Sequence, residues 1–462
     1  MVLFRRRSRY RSRYDRKSRR LHWIPMLLLI LGIPIGLELC ARLIFNTTGL
    51  TAQLEPEQVP AIVQAYQLQF VSPDGQPYES LPSEGTLAAA RDPLLGYQLL
   101  TGQKSDFWTI NAQGFRDPDP VPVDKPNGEI RLVILGGSTA FGQLSTSDQT
   151  GVTEQLEARL NQKIEDQQTK PGEFQPSVLP YRADQVDAAL ALPPQIKSGQ
   201  YRVINAAVPG YASGNELSLL MQHVAAYDPD VLIVLDGYAD LMLPSDRGGV
   251  DIPKLDAALN PQPESISSRL SGSIVDGFNQ LYLVRIIKRY LVPKRVSDKV
   301  IVEPLNWAGA AHSPDLNAAL AVDDAEIDQR VARYQHHLVQ MVRWTSGVRK
   351  RIIIAVQPEI TGRTEEARTP EESSMIQALG QPYADQIPKG YAKLASAATA
   401  AAQLSENATA IDLYQLYETF EGQAFQSPIE LTDDANRRLA ERLYSAVEAE
   451  LAIQPLPFGS TP

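Results

Sequence analysis

Apolar residues in this chain fall into short unbroken runs, separated by longer stretches in which they recur every three or four positions. The unbroken runs are Arg131–Leu135, Tyr201–Ala206, Asp230–Asp236, Arg351–Gln357 and Ala408–Leu413. Runs of this length without polar alternation mark strands buried on both faces of a parallel sheet. The helical patterns are Thr153–Lys163, Asn215–Ala226, Glu326–Val348, Lys389–Leu404 and Thr432–Leu451. Alternation of the two predicts a three-layer α/β/α domain over residues 129–452, with five parallel strands in the order 2-1-3-4-5 and right-handed crossovers. Two inserts interrupt it. Residues 168–200 are polar and proline-containing, a surface loop or flap. Residues 243–323 contain a helical stretch, Ile266–Leu291, closing on Lys288, Arg289, Lys294 and Arg295, cations that suit a helix C-terminus.

Before this domain the pattern changes twice. Residues 1–22 carry ten Lys/Arg against one Asp, leaving 34 basic and 53 acidic residues on the rest of the chain. An apolar stretch follows from Trp23 to Phe45, broken by Glu38 and Arg42. Its 23 residues match the ~30 Å of a bilayer core. Glu38 and Arg42 are four apart and can pair on one helix face. Positive charge stays in the cytoplasm, which predicts a single-pass membrane anchor with the N-terminus inside and the main domain extracytoplasmic, periplasmic or extracellular. No small-x-small cleavage site follows the apolar run, so an uncleaved anchor is expected over a signal peptide. Residues 46–128, rich in Pro, Gly and Gln, read as a stalk and a small β-rich lead-in with strand-like pieces at 96–100 and 107–110. Residues 453–462 form a tail.

Composition adds little: 43% hydrophobic and 21% charged residues describe an ordinary globular chain. One cysteine, Cys40, excludes an internal disulfide and a cysteine zinc cluster. No nucleic-acid partner is expected, because the arginine run abuts the apolar span; no metal and no cofactor are expected either. Oligomeric state is not legible.

The candidate chemistry lies where the first strand ends, at Gly136-Gly137-Ser138. Glycine permits a tight strand-to-helix turn that presents Ser138 at the carboxyl edge of the sheet, where open α/β sheets bind ligands. A serine hydroxyl held there beside backbone N–H groups is a candidate nucleophile.

Further blocks follow in order: Val203-Ile204-Asn205-Ala206-Ala207-Val208-Pro209-Gly210, then Asp236-Gly237-Tyr238-Ala239-Asp240, then Ile429-Glu430-Leu431-Thr432. With the lead-in Gly114-Phe115-Arg116-Asp117, these resemble the blocks of the SGNH/GDSL hydrolase family over about Asn111 to Leu451. The resemblance implies a flavodoxin-like sheet and an esterase, lipase or polysaccharide O-acetyl esterase that needs no metal. It assigns Ser138 as nucleophile and the Gly210 N–H as an oxyanion donor. The family's Asn donor falls at Ala239, its histidine base at Glu430 and the acid orienting that base at Ser427. Asp240 and Arg116 are candidate neighbours of the cleft.

Two of the four name-giving residues are therefore absent. Loss of an oxyanion donor costs about 2.7–4 kcal/mol, and loss of a triad histidine on the order of 10⁶ in rate. No histidine occurs after His337 to restore it, and His223, His312, His336 and His337 read as ordinary residues. The expected function is that of an envelope-facing esterase-like protein with degraded catalysis, binding an acylated glycan or lipid. The alternatives are an active esterase or O-acetyl transferase with Glu430 or an insert residue as base, and a structural partner in an envelope complex.

Overall fold

The computed structural model describes residues 59–460 except 79–80, 82–84, 253–254, 256–258, 260–280, 282–300, 302–304 and 307–315, and of the earlier residues 33, 35–44 and 47. Two compact units emerge: Val59–Gln262 with Val296–Pro462, and Met1–Gln58 with Pro263–Arg295. In the second unit residues 35–44 are helical, and Arg42 Nε meets Glu38 Oε1 at 2.8 Å, the pairing their spacing predicts. Most of the expected span at 23–45, and nearly all of the expected helix at 266–291, lie outside the described residues. No helix among the described residues is long and apolar enough to cross a membrane.

The larger unit is built on five strands: β1 (Glu129–Gly136), β2 (Gln200–Asn205), β3 (Val231–Asp236), β4 (Arg351–Val356) and β5 (Ala408–Asp412). All are parallel, in the order β2-β1-β3-β4-β5. The three central strands are buried along almost their whole length because helices cover both faces, so their residues are mostly apolar. Helix α1 (Ser138–Phe141) follows β1 at once. One face carries α2 (Val152–Thr169) and α8 (Asp433–Leu451). The other carries α3 (Ser213–Gln222), α5 (Asp324–Gly347) and α7 (Gln381–Ala402). Short α4 (Tyr238–Met242) continues from β3, and α6 (Pro370–Leu379) precedes α7.

The pattern missed a helix at Ala183–Leu190 inside the expected loop 168–200 and misplaced the region near Pro388. It started a helix only after Pro388, yet α7 runs through that proline from Gln381, and α6 was not anticipated. Proline removes one helical hydrogen bond. Buried Tyr383, Ile387 and Tyr391 on one face of α7 offset that loss. At α6, Pro370 occupies the first turn, where its missing N–H has no partner to lose, and Thr369 with Glu372 forms a capping box.

The lead-in contributes a three-stranded sheet, Leu68–Val71, Leu87–Asp92 and Gly96–Leu99. It packs on the α/β domain rather than standing away from it. Trp108, Tyr66 and Tyr97 are buried, and the Tyr97 hydroxyl donates to the Pro209 carbonyl at 2.6 Å. That bond fixes the lead-in beside Gly210.

Candidate active site

Two turns form the base of the site. Gly136 has φ +155°, and a Cβ there would lie 2.3 Å from the Leu235 carbonyl oxygen and 2.5 Å from Ala140 Cβ. Only glycine permits this approach of β1 to β3 and the sharp entry into α1 that follows. The Val208 N–H donates to the Gly136 carbonyl at 3.0 Å, and a Cβ on Gly137 would meet the Tyr211 carbonyl oxygen at 3.2 Å. The turn carrying Gly210, itself at φ +85°, is thereby held against the turn carrying Ser138. Among the described residues neither the Gly210 N–H nor the Ser138 N–H has a backbone acceptor. Ser138 retains 6% exposure.

The last block reaches this edge from the far end of the chain. The Thr139 hydroxyl donates to the Ile429 carbonyl at 2.9 Å and receives the Gln357 side-chain amide at 2.9 Å. The Ile360 N–H binds the Pro428 carbonyl at 3.0 Å. These bonds bring Glu430, fully buried, to the Ser138 hydroxyl. Burial pushes the Glu430 carboxyl up to about 8, against the opposing pull of that hydroxyl and of the Leu305 N–H. Leu305, within the long insert, donates to Oε1 at 3.3 Å. Glu430 Oε2 is buried with no partner at hydrogen-bonding geometry among the described residues.

Ser427 does not orient that carboxyl. Its hydroxyl oxygen accepts the N–H groups of Ile429 at 3.3 Å and of Glu430 at 3.1 Å, and so shapes the loop backbone. Ala239, buried in α4, offers no side-chain donor. Asp240 is bonded behind the cleft: Oδ2 accepts the Ser213 N–H at 2.9 Å and Oδ1 the Ser213 hydroxyl at 2.7 Å. It ties the start of α3, three residues after Gly210, to the turn after β3. Ser213 Oγ also lies 2.8 Å from His337 Nδ1.

Arg116 is likewise engaged away from the Ser138 hydroxyl. Its guanidinium donates to the Phe141 and Gly142 carbonyls, each at 2.7 Å, and to the Tyr66 hydroxyl at 2.8 Å. A cation there satisfies the carbonyls at the end of α1 and complements their partial negative charge. Arg116 braces the nucleophile turn from behind.

Three buried acids lie outside the site residues that the sequence assigns. Glu216 on α3 and Asp236 at the end of β3 are close enough to share a proton. Burial and mutual repulsion raise both, Glu216 foremost. Asp236 also accepts the Tyr334 hydroxyl at 2.9 Å. Glu359, beyond β4, is pushed up to about 7 by burial and accepts the Tyr383 hydroxyl at 2.9 Å. In the sequence only Asp236, closing an apolar run, stands out; Glu216 and Glu359 lie in mixed segments. Among the described residues no three His, Cys, Asp or Glu side chains are grouped to hold a metal.

No family model matches the chain, and no curated protein matches it by sequence. Among solved structures it is similar to LAE5, an alpha/beta hydrolase enzyme from the metagenome of Lake Arreo, Spain, at 11% identity over 70% of this chain and 97% of that one, TM-score 0.31. It is similar to the acetyl xylan esterase AlAXEase at 14% identity over 69% and 100% of the two chains, TM-score 0.30. It is also similar to Axe2, an acetylxylan esterase from Geobacillus stearothermophilus, at 12% identity over 71% and 96%, TM-score 0.31. Superpositions at that score carry no weight of their own. The α/β architecture is read from the chain's own sheet order, with the Ser138, Gly210 and Glu430 segments meeting at one edge.

Proposed function

We propose that this is an envelope-facing, membrane-anchored protein with an ester-hydrolase fold that binds an acylated glycan or lipid and turns it over only weakly. One observation carries the reading: the group beside the Ser138 hydroxyl is a buried carboxyl with its pKa raised to about 8, where the resemblance expects an imidazole. At neutral pH that group is mostly protonated and does not take the serine proton. Ser427 is spent on backbone N–H groups and Ala239 donates nothing, which supports the same conclusion. Above its pKa Glu430 is ionised and becomes a competent base to Ser138.

The test is hydrolysis of a short acyl ester by the full chain between pH 5 and 9. The rate should rise about 50-fold from pH 6 to pH 8, following the ionised fraction of Glu430, and then flatten. Ser138→Ala should remove it. Ordinary esterase rates at pH 6 that depend on Ser138 would overturn the degraded reading.

The anchor is part of the proposal and rests on the basic head and the apolar stretch at 23–45. A reporter fused after Pro462 should be active only outside the cytoplasm. Activity confined to the cytoplasm would sink it.

A further inference from the structure

We propose that the site retains a carboxylate ligand, one oxygen lying between the Ser138 and Gly210 N–H groups and the other receiving a proton-bearing Glu430 Oε2. This inference rests on reading Glu430 as a replaced base, and asks what the replacement selects.

Glu430 is fully buried and, among the described residues, faces no counter-charge. The nucleophile turn presents Ser138 and Thr139, the end of β4 presents Gln357, the insert presents the Leu305 N–H, and the loop itself presents Ser427; all are neutral. An ionised carboxylate supported only by the Leu305 N–H, its own N–H and the Ser138 hydroxyl would pay heavily in lost hydration. The group is therefore an acid. Oε1 accepts the Leu305 N–H at 3.3 Å, and Oε2, with no partner at hydrogen-bonding geometry among the described residues, carries the proton beside the Ser138 hydroxyl. The edge of the sheet then offers two backbone N–H groups and an acid O–H, with no basic acceptor among them.

A neutral ester uses such a set poorly, since its alkoxy oxygen is a weak acceptor and its carbonyl can occupy only one side. A carboxylate uses all of it. Its two oxygens lie side by side, and hydrogen bonds to a charged acceptor are roughly twice as strong as neutral ones. Binding then depends on the Glu430 proton and weakens once the free site loses it.

The test titrates the full chain with acetate, octanoate and glucuronate at pH 6 and pH 9. These probes separate a free small acid, an acyl chain and a uronic acid as sources of the carboxylate. At least one should bind at pH 6 and bind about 10-fold more weakly at pH 9, as expected for a site with a pKa of about 8. Glu430→Gln keeps an N–H donor at this position and should bind that probe nearly equally at both pH values. Glu430→Ala should bind it at least about 10-fold more weakly at pH 6. Melting curves of both variants establish that they are folded. No binding of any probe at pH 6, or binding by the unmodified chain that does not change with pH, would overturn the inference. Either result leaves the pH–rate test of hydrolysis standing, so the two readings fail separately.

Discussion

Arg363→Ala is expected to destabilise the larger unit by about 3–5 kcal/mol, the cost of stranding one member of a buried ion pair. Arg363 and Glu372 are both fully excluded from solvent. One guanidinium nitrogen reaches Glu372 Oε1 at 2.8 Å and Oε2 at 2.9 Å. Arg363 also donates to the Phe420 carbonyl at 2.6 Å and the Gly422 carbonyl at 2.9 Å. Glu372 Oε1 accepts the N–H groups of Ala424 at 2.9 Å and Phe425 at 3.0 Å. The pair thus organises the backbone that delivers Glu430 to Ser138. Denaturant unfolding should show the loss, and covalent labelling of Ser138 should change with it because the loop carrying Glu430 loses its anchor. A loss below about 1 kcal/mol would mean the pair is replaceable by water.

Rebuilding the catalytic set should raise neutral-pH hydrolysis of a small acetyl ester by at least about 10²-fold, the order justified by one restored oxyanion donor. The variant combines Ala239→Asn, Glu430→His and Ser427→Asp. An aspartate at 427 can still accept the Ile429 and Glu430 N–H groups with one oxygen, leaving the other for an imidazole. Ala239→Asn alone should change the rate by only a few-fold, since no competent base yet helps to reach the transition state it stabilises. The combined gain should exceed the product of the separate ones, because members of a catalytic unit act non-additively. The Leu305 N–H loses its carboxylate acceptor in this variant, at about 1–3 kcal/mol of stability. A folded triple variant that labels at Ser138 with an active-site phosphonate no faster than the unmodified chain would show that position 430 is not the base position.

Much of the framework was legible because it depends on local patterning. The five unbroken apolar runs became the five strands, in the order their spacing implied, since a strand covered on both faces has no use for polar alternation. Ser138 could be located because a tight turn at the end of a buried strand demands glycine, and Gly210 because its block resembles one of the SGNH/GDSL hydrolase family. The helix at 381–402 was cut short because proline's local cost is visible in sequence while the burial of Tyr383, Ile387 and Tyr391 that offsets it is not.

What the sequence determined by itself is the α/β class, the strand order, the position of the nucleophile turn and the absence of a histidine from the last block. These follow from residue identity and from contacts within a few positions along the chain. Only the tertiary structure decided that Glu430 meets Ser138 as a buried, proton-bearing acid, that Ser427 serves the backbone, and that Arg116 and Asp240 brace the turns from behind. Each of those outcomes depends on which groups from distant segments are desolvated together. The pKa of a carboxyl and the partner of a guanidinium are set by that shared environment, which spacing along a chain does not encode.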